Sequence, residues 1–586
     1  MTRYAYSFVA PSDRSSDRSQ SPPPPYATRP PSVNYARQPP SRYPTRFPSP
    51  RSRRNEQTPL LRRKKGSKPS LTLECFPWPL CFLIHCILFI FAVVALYLCK
   101  ALLRTFPHSP SFYSPPTYSI AIVGSGPAGI SALQHLHLES RKVHIRLNIT
   151  LFESAPLVGG QLALNDSTGG PVFPYDDPNQ DPIKAEDITG SALIWGNPLF
   201  TKTSEAILGD RLEFSERNEQ EASYISGDRI VSQTTRPYRK TPLFKWMGLI
   251  FHYGSSVWQA GGLANEGTQM RDRFVDAPLT PDIIQLMISL GILDPVREFA
   301  QHDLDSRGIG GAYETEILGP QVERVHSQGI PNISTLAMML AAGQEDYANA
   351  YVGGELIDRL EQIVAATGAD VRTGTKVSAI KHEQINSEQS AWLVAYDAPG
   401  LPFPGAEPFD RVILAAPSFD LYQASPLDDA EAASVLTYRS THVTFFTLPE
   451  RLNPDDFGSG DQILFHDAQG KYDAFKGVRE LAFVREVGRL VDGHTVAEHL
   501  YCALSDDDIT EEIRNNLGVT WLYQTRLENA HPDLYPFRRF PPFKLSDKGM
   551  WWTSAIHAIA STVDMSWLAG RIVAEDILKD LPKPKS

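Results

Sequence analysis

The stretch Ser119-Ile120-Ala121-Ile122-Val123-Gly124-Ser125-Gly126-Pro127-Ala128-Gly129-Ile130-Ser131-Ala132-Leu133-Gln134-His135-Leu136 decides the fold. Its first five residues are a short apolar run rich in β-branched side chains, which reads as a buried strand. Gly124, Gly126 and Gly129 match a GxGxxG turn, and Ile130 to Leu136 continue as a helix. Strand, glycine turn and helix stand in the order that a dinucleotide-binding βαβ unit requires. Gly124 permits the tight turn, Gly126 lets a pyrophosphate approach the backbone, and Gly129 lets helix and strand pack closely. Ser125, Pro127 and Ala128 complete the loop, whose helix N-terminus turns free N–H groups toward the diphosphate.

A glycine turn alone is weak evidence, so the next residues carry the weight. Ile149-Thr150-Leu151-Phe152-Glu153 reads as a second strand ending in a carboxylate, placed to bind the ribose hydroxyls of an adenosine. Val158-Gly159-Gly160-Gln161 follows, a Gly-Gly pair typical of FAD enzymes of the amine-oxidase and glutathione-reductase type. The third residue there is usually Arg; Gln161 leaves the flavin diphosphate without that cationic contact. The array as a whole points to FAD. NAD as sole cofactor, or a glycine turn without a ligand, are the alternatives.

The rest of a flavin fold follows in order. Gly353 to Leu360 opens a helix, and Val371-Arg372 and Lys376 to Ile380 read as strands returning to the adenine side, with Val377 at the cofactor. Phe409 to Pro417 reads as one buried strand whose small residues, Ala416 among them, pass under the cofactor. Ala560 to Ser566 opens the last helix, with Thr562, Val563 and Asp564 beneath the isoalloxazine, where the helix dipole favours an anionic reduced ring. The expected fold is α/β: a discontinuous Rossmann-type FAD-binding domain (118–244, 346–434, 541–580) with an inserted mixed α+β substrate domain (245–345, 435–540). No metal site is expected.

The first 70 residues differ from everything after them. They hold 14 of the 48 prolines and carry a net charge of +12, which leaves −23 for residues 71–586. An acidic body repels phosphate, so the chain is no general nucleic-acid binder. The tail cannot bury enough apolar surface to offset its ordering entropy and is expected to be disordered. Pro23-Pro24-Pro25-Tyr26 fits the groove of a WW domain, such as that of a ubiquitin ligase, and Glu56 to Leu61 matches an acidic dileucine signal for a sorting adaptor. Cys75 to Cys99 contains no charged residue and is long enough to cross a bilayer, so 75–103 is expected to be one transmembrane helix. Arg62-Arg63-Lys64-Lys65 before it would keep the tail cytosolic, a type II topology. Beyond it only Cys502 remains, which excludes an internal disulfide. Sequons begin at Asn148, Asn165 and Asn332.

Three stretches resemble the prenylcysteine oxidases (prenylcysteine lyases). They are the flavin array through Gly190 to Leu199, the run Glu316 to Gly329 with Asn332-Ile333-Ser334, and Ala558 to Gly570. The second resembles the family's Pro-x-x-x-Arg-Val-x-x-Gly-Gln region, with Pro320, Arg324 and Val325 in place but Gln328-Gly329 in reversed order. The resemblance implies a flavin thioether oxidase of vacuole- or lysosome-like compartments. Its substrate would be farnesyl- or geranylgeranyl-cysteine. Hydride leaves the allylic carbon beside sulfur, water adds, and the hemithioacetal collapses to cysteine and a prenyl aldehyde. O2 takes the electrons and becomes hydrogen peroxide. An apolar tunnel would draw on Trp246-Met247, Leu249-Ile250-Phe251, Ile333 and Leu336 to Leu340. Arg324 is the candidate partner of the substrate carboxylate and His557 the candidate water-activating base. The competing readings are another flavin amine oxidase or desaturase of the same fold, and a catalytically silent membrane sorting receptor.

Overall fold

The computed structural model describes residues 89–97 and 116–582, except 165–168, 185–186, 189–204, 210–213, 217–219, 237–241, 346–349, 353–355, 385–389, 401–402 and 418–435. The Pro-rich tail with its two short motifs, most of the expected membrane span, Asn165, and the 190–199 part of the resemblance lie outside the described residues. Residues 89–97 are helical and exposed. Among the described residues no helix is long and apolar enough to cross a membrane. Pro110–Ser586 forms one compact unit, and the four hydrophobic clusters found among the described residues lie within it.

The nucleotide end is a six-stranded sheet. β1 (Thr117–Val123) runs into helix α1 (Pro127–Lys142) and returns as β2 (Arg146–Phe152), parallel to β1 from Thr117↔Arg146 to Val123↔Phe152. Asp370–Arg372 pairs with the outer side of β2, and Arg411–Leu414 and Met550–Trp552 extend the sheet beyond β1, all parallel. Lys544–Ser546 closes that edge antiparallel. The inner halves of β1 and β2 are buried and, except for Thr150, apolar, because α1 packs on the sheet and Phe152 packs against Tyr396 and Phe409 of an antiparallel sheet. Lys376–Gln384 joins a separate antiparallel three-stranded sheet with Ser390–Asp397 and Gly405–Phe409. The run expected as one strand from Phe409 therefore breaks at Asp410. There the Asp410 carboxylate accepts from Ser119 N at 2.7 Å and from Ser119 Oγ at 2.8 Å, and a new strand starts at Arg411.

The second half is a seven-stranded mixed sheet with a helical layer on it. Gln220–Ser226 and Arg229–Arg236 are an antiparallel hairpin of this sheet, so the boundary expected at residue 244 falls earlier in the chain. Helix α2 (Leu243–Tyr253) and helix α3 (Gly319–His326) belong to the helical layer, whose core contains Leu249, Tyr253, Leu263, Ile317, Val322 and Met338. Ile333 and Ala337 to Met339 are buried there too, Leu336 and Leu340 are buried in the cluster of the nucleotide end, and Met247 and Phe251 of α2 face outward and line nothing. Strand β3 (Tyr438–Leu448) lies between Trp521–Pro532 and His494–Ser505. The chain then re-enters the nucleotide end and finishes as helix α4 (Val563–Asp580), packed along α1.

Candidate functional site

The phosphate loop is shaped by contacts that only glycine allows. A Cβ at Gly129 would sit 2.0 Å from the Gly124 carbonyl oxygen, and one at Gly124 (φ +104°) would sit 2.7 Å from Ala415 O. Both close the turn. Gly126 behaves differently: a Cβ there would meet nothing within 4 Å. Its freedom is needed for something that approaches from outside the protein. Gly126 is also the N-cap of α1 and supplies no side-chain cap, and no acid stands in the helix's first turn. First-turn N–H groups without a cap are anion acceptor sites.

Glu153 stands directly after β2 and is nearly buried. One of its oxygens accepts from Ser125 N at 2.8 Å and Ser125 Oγ at 2.6 Å; the other accepts from Ala155 N at 2.8 Å. The carboxylate thus braces the loop from behind. Ser154 Oγ donates to that second oxygen as well, at 3.3 Å, so all of the about four acceptor positions are used within the protein and a ribose hydroxyl would take the place of this longest bond. Thr375 N donates to Glu153 O at 2.7 Å, and Val377, two residues on, is buried beside that junction. Gly159 (φ +117°) and Gly160 (φ +59°) pack against the same loop: Gly159 N donates to Ser125 O at 3.0 Å, and a Cβ on Gly160 would lie 3.0 Å from the Gly126 Cα. Gln161 does not join them. Its side-chain amide donates to Glu528 O at 2.8 Å, on the substrate sheet, so it holds the two halves together rather than a diphosphate.

The far end of the crevice is set by α4. Thr562 caps it, accepting from Met565 N at 3.2 Å, with Val563 and Asp564 in the first turn. Gly570 lets α4 lie against α1, since a Cβ there would be 2.3 Å from Ala128 O, and Ser131 Oγ donates to Trp567 O at 2.6 Å. From Val563 to Gly570 is about 10 Å of helix. The N-terminus of α4 therefore opens about that far along from the phosphate loop, a span suited to one dinucleotide. Ala416 lies between them, its carbonyl held by Trp552 Nε1 at 3.1 Å and Ser554 Oγ at 2.9 Å.

His557 sits in the short 3-10 turn before α4. Its Nδ1 is 3.1 Å from the Tyr438 hydroxyl at the start of β3. Burial brings the imidazole down to about 4, so it is neutral above that pH, and burial also pushes the Tyr438 hydroxyl up. With Nδ1–H donating to the Tyr438 hydroxyl, Nε2 would be the basic nitrogen of His557. Tyr438 had no local signal in sequence; its role exists only because β3 passes over the turn before α4.

Arg324 is buried in α3, on the layer between helices and sheet. The polar residues around it bind that layer together. Gln321 donates to Tyr224 Oη at 2.9 Å, His326 Nε2 to Ala337 O at 2.9 Å, and Gln328 Nε2 to Pro532 O at 2.8 Å. Sequence reasoning passed over the groups facing them: Arg479, bonded to Asp506 at 3.1 Å and Thr441 at 3.2 Å, and Glu480, fully buried with no hydrogen bond to either oxygen. Burial depresses Arg479 and raises Glu323.

An FAD-NAD(P)-binding family profile matches residues 121–169, the loop and β2 just described, and the cofactor is FAD. Among solved structures, a putrescine oxidase double mutant with redesigned cofactor binding is 15% identical, with a TM-score of 0.48, over 79% of this chain and 100% of that one. Wild-type putrescine oxidase bound to putrescine is 14% identical (TM-score 0.47, 79% and 99%), and a CLA-producing fatty acid isomerase from P. acnes is 13% identical (0.44, 79% and 98%). No curated protein sequence matches the chain. The remaining match covers more than half of the chain, from the helical layer through the sheet to α4: the prenylcysteine lyase profile fits residues 281–585, and the chain belongs to that family of flavin oxidoreductases.

Proposed function

We propose that this chain is a prenylcysteine oxidase, converting farnesyl- or geranylgeranyl-cysteine, water and O2 to cysteine, a prenyl aldehyde and hydrogen peroxide. The family match over 281–585 carries the reading, because it covers the substrate layer rather than the nucleotide loop. Bound FAD supplies a two-electron acceptor for the hydrogen on the allylic carbon beside sulfur and passes the electrons to O2.

The residues of the chain do the rest. Gly124 to Gly129, Glu153, Gly159 and Gly160 would hold the nucleotide, with the N-terminus of α4 at the other end of the site. Nε2 of His557 takes the proton of the attacking water as its oxygen bonds to the allylic carbon. When the carbon–sulfur bond of the hemithioacetal breaks, the proton goes to the departing sulfur. Tyr438, accepting from Nδ1–H, keeps the imidazole in the tautomer that makes this possible. The amino-acid head of the substrate needs a cation for its carboxylate, and Arg324 and Arg479 are the two buried candidates. A vacuolar or lysosomal address, with residues 75–103 as anchor and the tail in the cytosol read by a WW-domain ligase or sorting adaptor, is part of the same proposal and rests on the sequence motifs alone.

Peroxide release on adding farnesylcysteine to the purified protein tests the reading. Stoichiometric peroxide, free cysteine and aldehyde are expected. Turnover of polyamines with no response to prenylcysteine would overturn it.

A further inference from the structure

Gln161 crosses the seam between the two halves of the fold at a point where the strand pairing is interrupted. Along β3 and the Trp521–Pro532 strand the register runs Arg439↔His531 and then Thr441↔Leu527, so Ser440 stands opposite Glu528, Asn529 and Ala530. Asn529 takes φ +54°, the left-handed conformation that Asn tolerates better than most side chains. A bulge takes residues out of the ladder, and one carbonyl of this bulge, Glu528 O, accepts from the Gln161 side-chain amide at 2.8 Å. The Glu528 side chain is held as well. Ser440 Oγ donates to one of its oxygens at 2.6 Å, and Arg526 lies 3.1 Å from the other.

Both sides of the bulge lead to the flavin site. Gln161 lies in the short turn Gly160–Leu162, directly after the Gly159 backbone that donates to the phosphate loop. Tyr438, on β3 just before the bulge, contacts His557 ahead of α4. Phosphate loop, Gln161, Glu528, Ser440 and Tyr438 thus form a continuous path from the nucleotide to the candidate base. Gln161 and Glu528 are both exposed, so as a plain surface bridge their bond would add little stability. Its place on that path gives it another use, because a displacement of about 1 Å between reacting groups can cost about a hundredfold in rate.

We propose that Gln161 is a positioning residue, whose bond to the bulge carbonyl keeps the substrate sheet in register with the bound cofactor. The role rests on the reading of this chain as a prenylcysteine oxidase, and it assigns the residue after the glycine pair to alignment rather than to cofactor affinity.

Gln161→Leu removes the donor at similar size, and Gln161→Arg keeps an N–H donor. Both variants and the parent are compared by FAD titration into the apo-protein, unfolding midpoint, anaerobic reduction of the bound flavin by farnesylcysteine, and its reoxidation by O2. Gln161→Leu should bind FAD within about twofold of the parent, with the same midpoint and reoxidation rate, while its reduction at saturating farnesylcysteine slows about fivefold or more. Gln161→Arg should restore most of that rate. Gln161→Leu reduced at the parent rate, weakened FAD binding or a lowered midpoint in place of slowed reduction, or Gln161→Arg as slow as Gln161→Leu would each overturn the proposal. A parent that farnesylcysteine does not reduce overturns the substrate reading and the role of Gln161 with it, whereas a parent reduced normally beside an indifferent Gln161→Leu removes the role alone.

Discussion

Tyr438 and His557, 119 residues apart in sequence, meet with 3.1 Å between Oη and Nδ1, at the seam where the substrate sheet passes over the turn that precedes α4. The contact joins the two halves of the fold at the mouth of the last helix. With Nδ1–H as the donor in this contact, Nε2 would be the basic nitrogen of His557.

Tyr438→Phe removes the acceptor that pins Nδ1–H. A lost hydrogen bond of about 1 kcal/mol corresponds to a kcat lower by about fivefold to tenfold, with FAD content unchanged. The pH profile gives the sharper test. A neutral His557 is needed as base, and its value lies at about 4, so kcat/KM should be flat at neutral pH and fall as pH drops through about 4. His557→Gln should abolish that limb along with most activity. A limb that persists at the same pH in His557→Gln assigns it to another group.

Two glycines of one turn should fail in different ways. Gly129→Ala forces a Cβ to within 2.0 Å of a backbone oxygen, so the βα turn cannot close and the protein should not accumulate in folded form. Gly126→Ala meets nothing and its φ of −68° suits alanine, so the protein should fold with an ordinary unfolding midpoint. The added methyl group then occupies the approach of the diphosphate, and the purified variant should be colourless. A yellow, active Gly126→Ala protein would place the cofactor elsewhere.

The parts of this site that could be read from sequence are those made by neighbours in the chain. The turn from Gly124 to Gly129, Glu153 after β2, and Thr562 at the start of α4 depend on spacing within a few residues, and spacing survives in a string of letters. The contacts that escaped are between distant segments. Nothing near Tyr438 points to His557, and nothing near Gln161 says that its amide turns to Glu528 instead of a diphosphate. Helix α2 shows a third kind of miss. Its residues are apolar nearly all round, so periodicity offers no way to choose the buried face, and Met247 and Phe251, candidates for the tunnel by sequence, lie outside. The strand break at Asp410 has the same origin, since Ser119, which holds that carboxylate, is 291 residues away.

Acid should weaken the fold through its buried histidines. Burial brings His135, His326 and His557 down to about 4 and His531 well below its ordinary value. An unfolded histidine titrates near 6.5, so each group contributes stability that is fully present above that pH and is lost as pH falls toward 4. The loss is of the order of 1 kcal/mol per pH unit for each histidine. Unfolding midpoints measured between neutral pH and 4.5 should therefore fall steeply. His326→Gln keeps a donor for Ala337 O and cannot ionise, so it should flatten the slope by about one proton's worth. An unchanged slope would mean that His326 is not neutral in the fold.

Glu480 is the last group with a clear expectation. It lies on the sheet between Leu464 and Leu504, fully buried, with neither oxygen hydrogen-bonded, while its neighbour Arg479 is bonded to Asp506 and Thr441. Burying a polar group without partners costs about 1–3 kcal/mol as seen in protein variants, and a charge costs more. Glu480→Gln keeps the shape and removes the charge, so it should stabilise the protein by about 1 kcal/mol or more in denaturant titration. A destabilised Glu480→Gln protein would instead make Glu480 the counter-charge of Arg479, and its place would be structural.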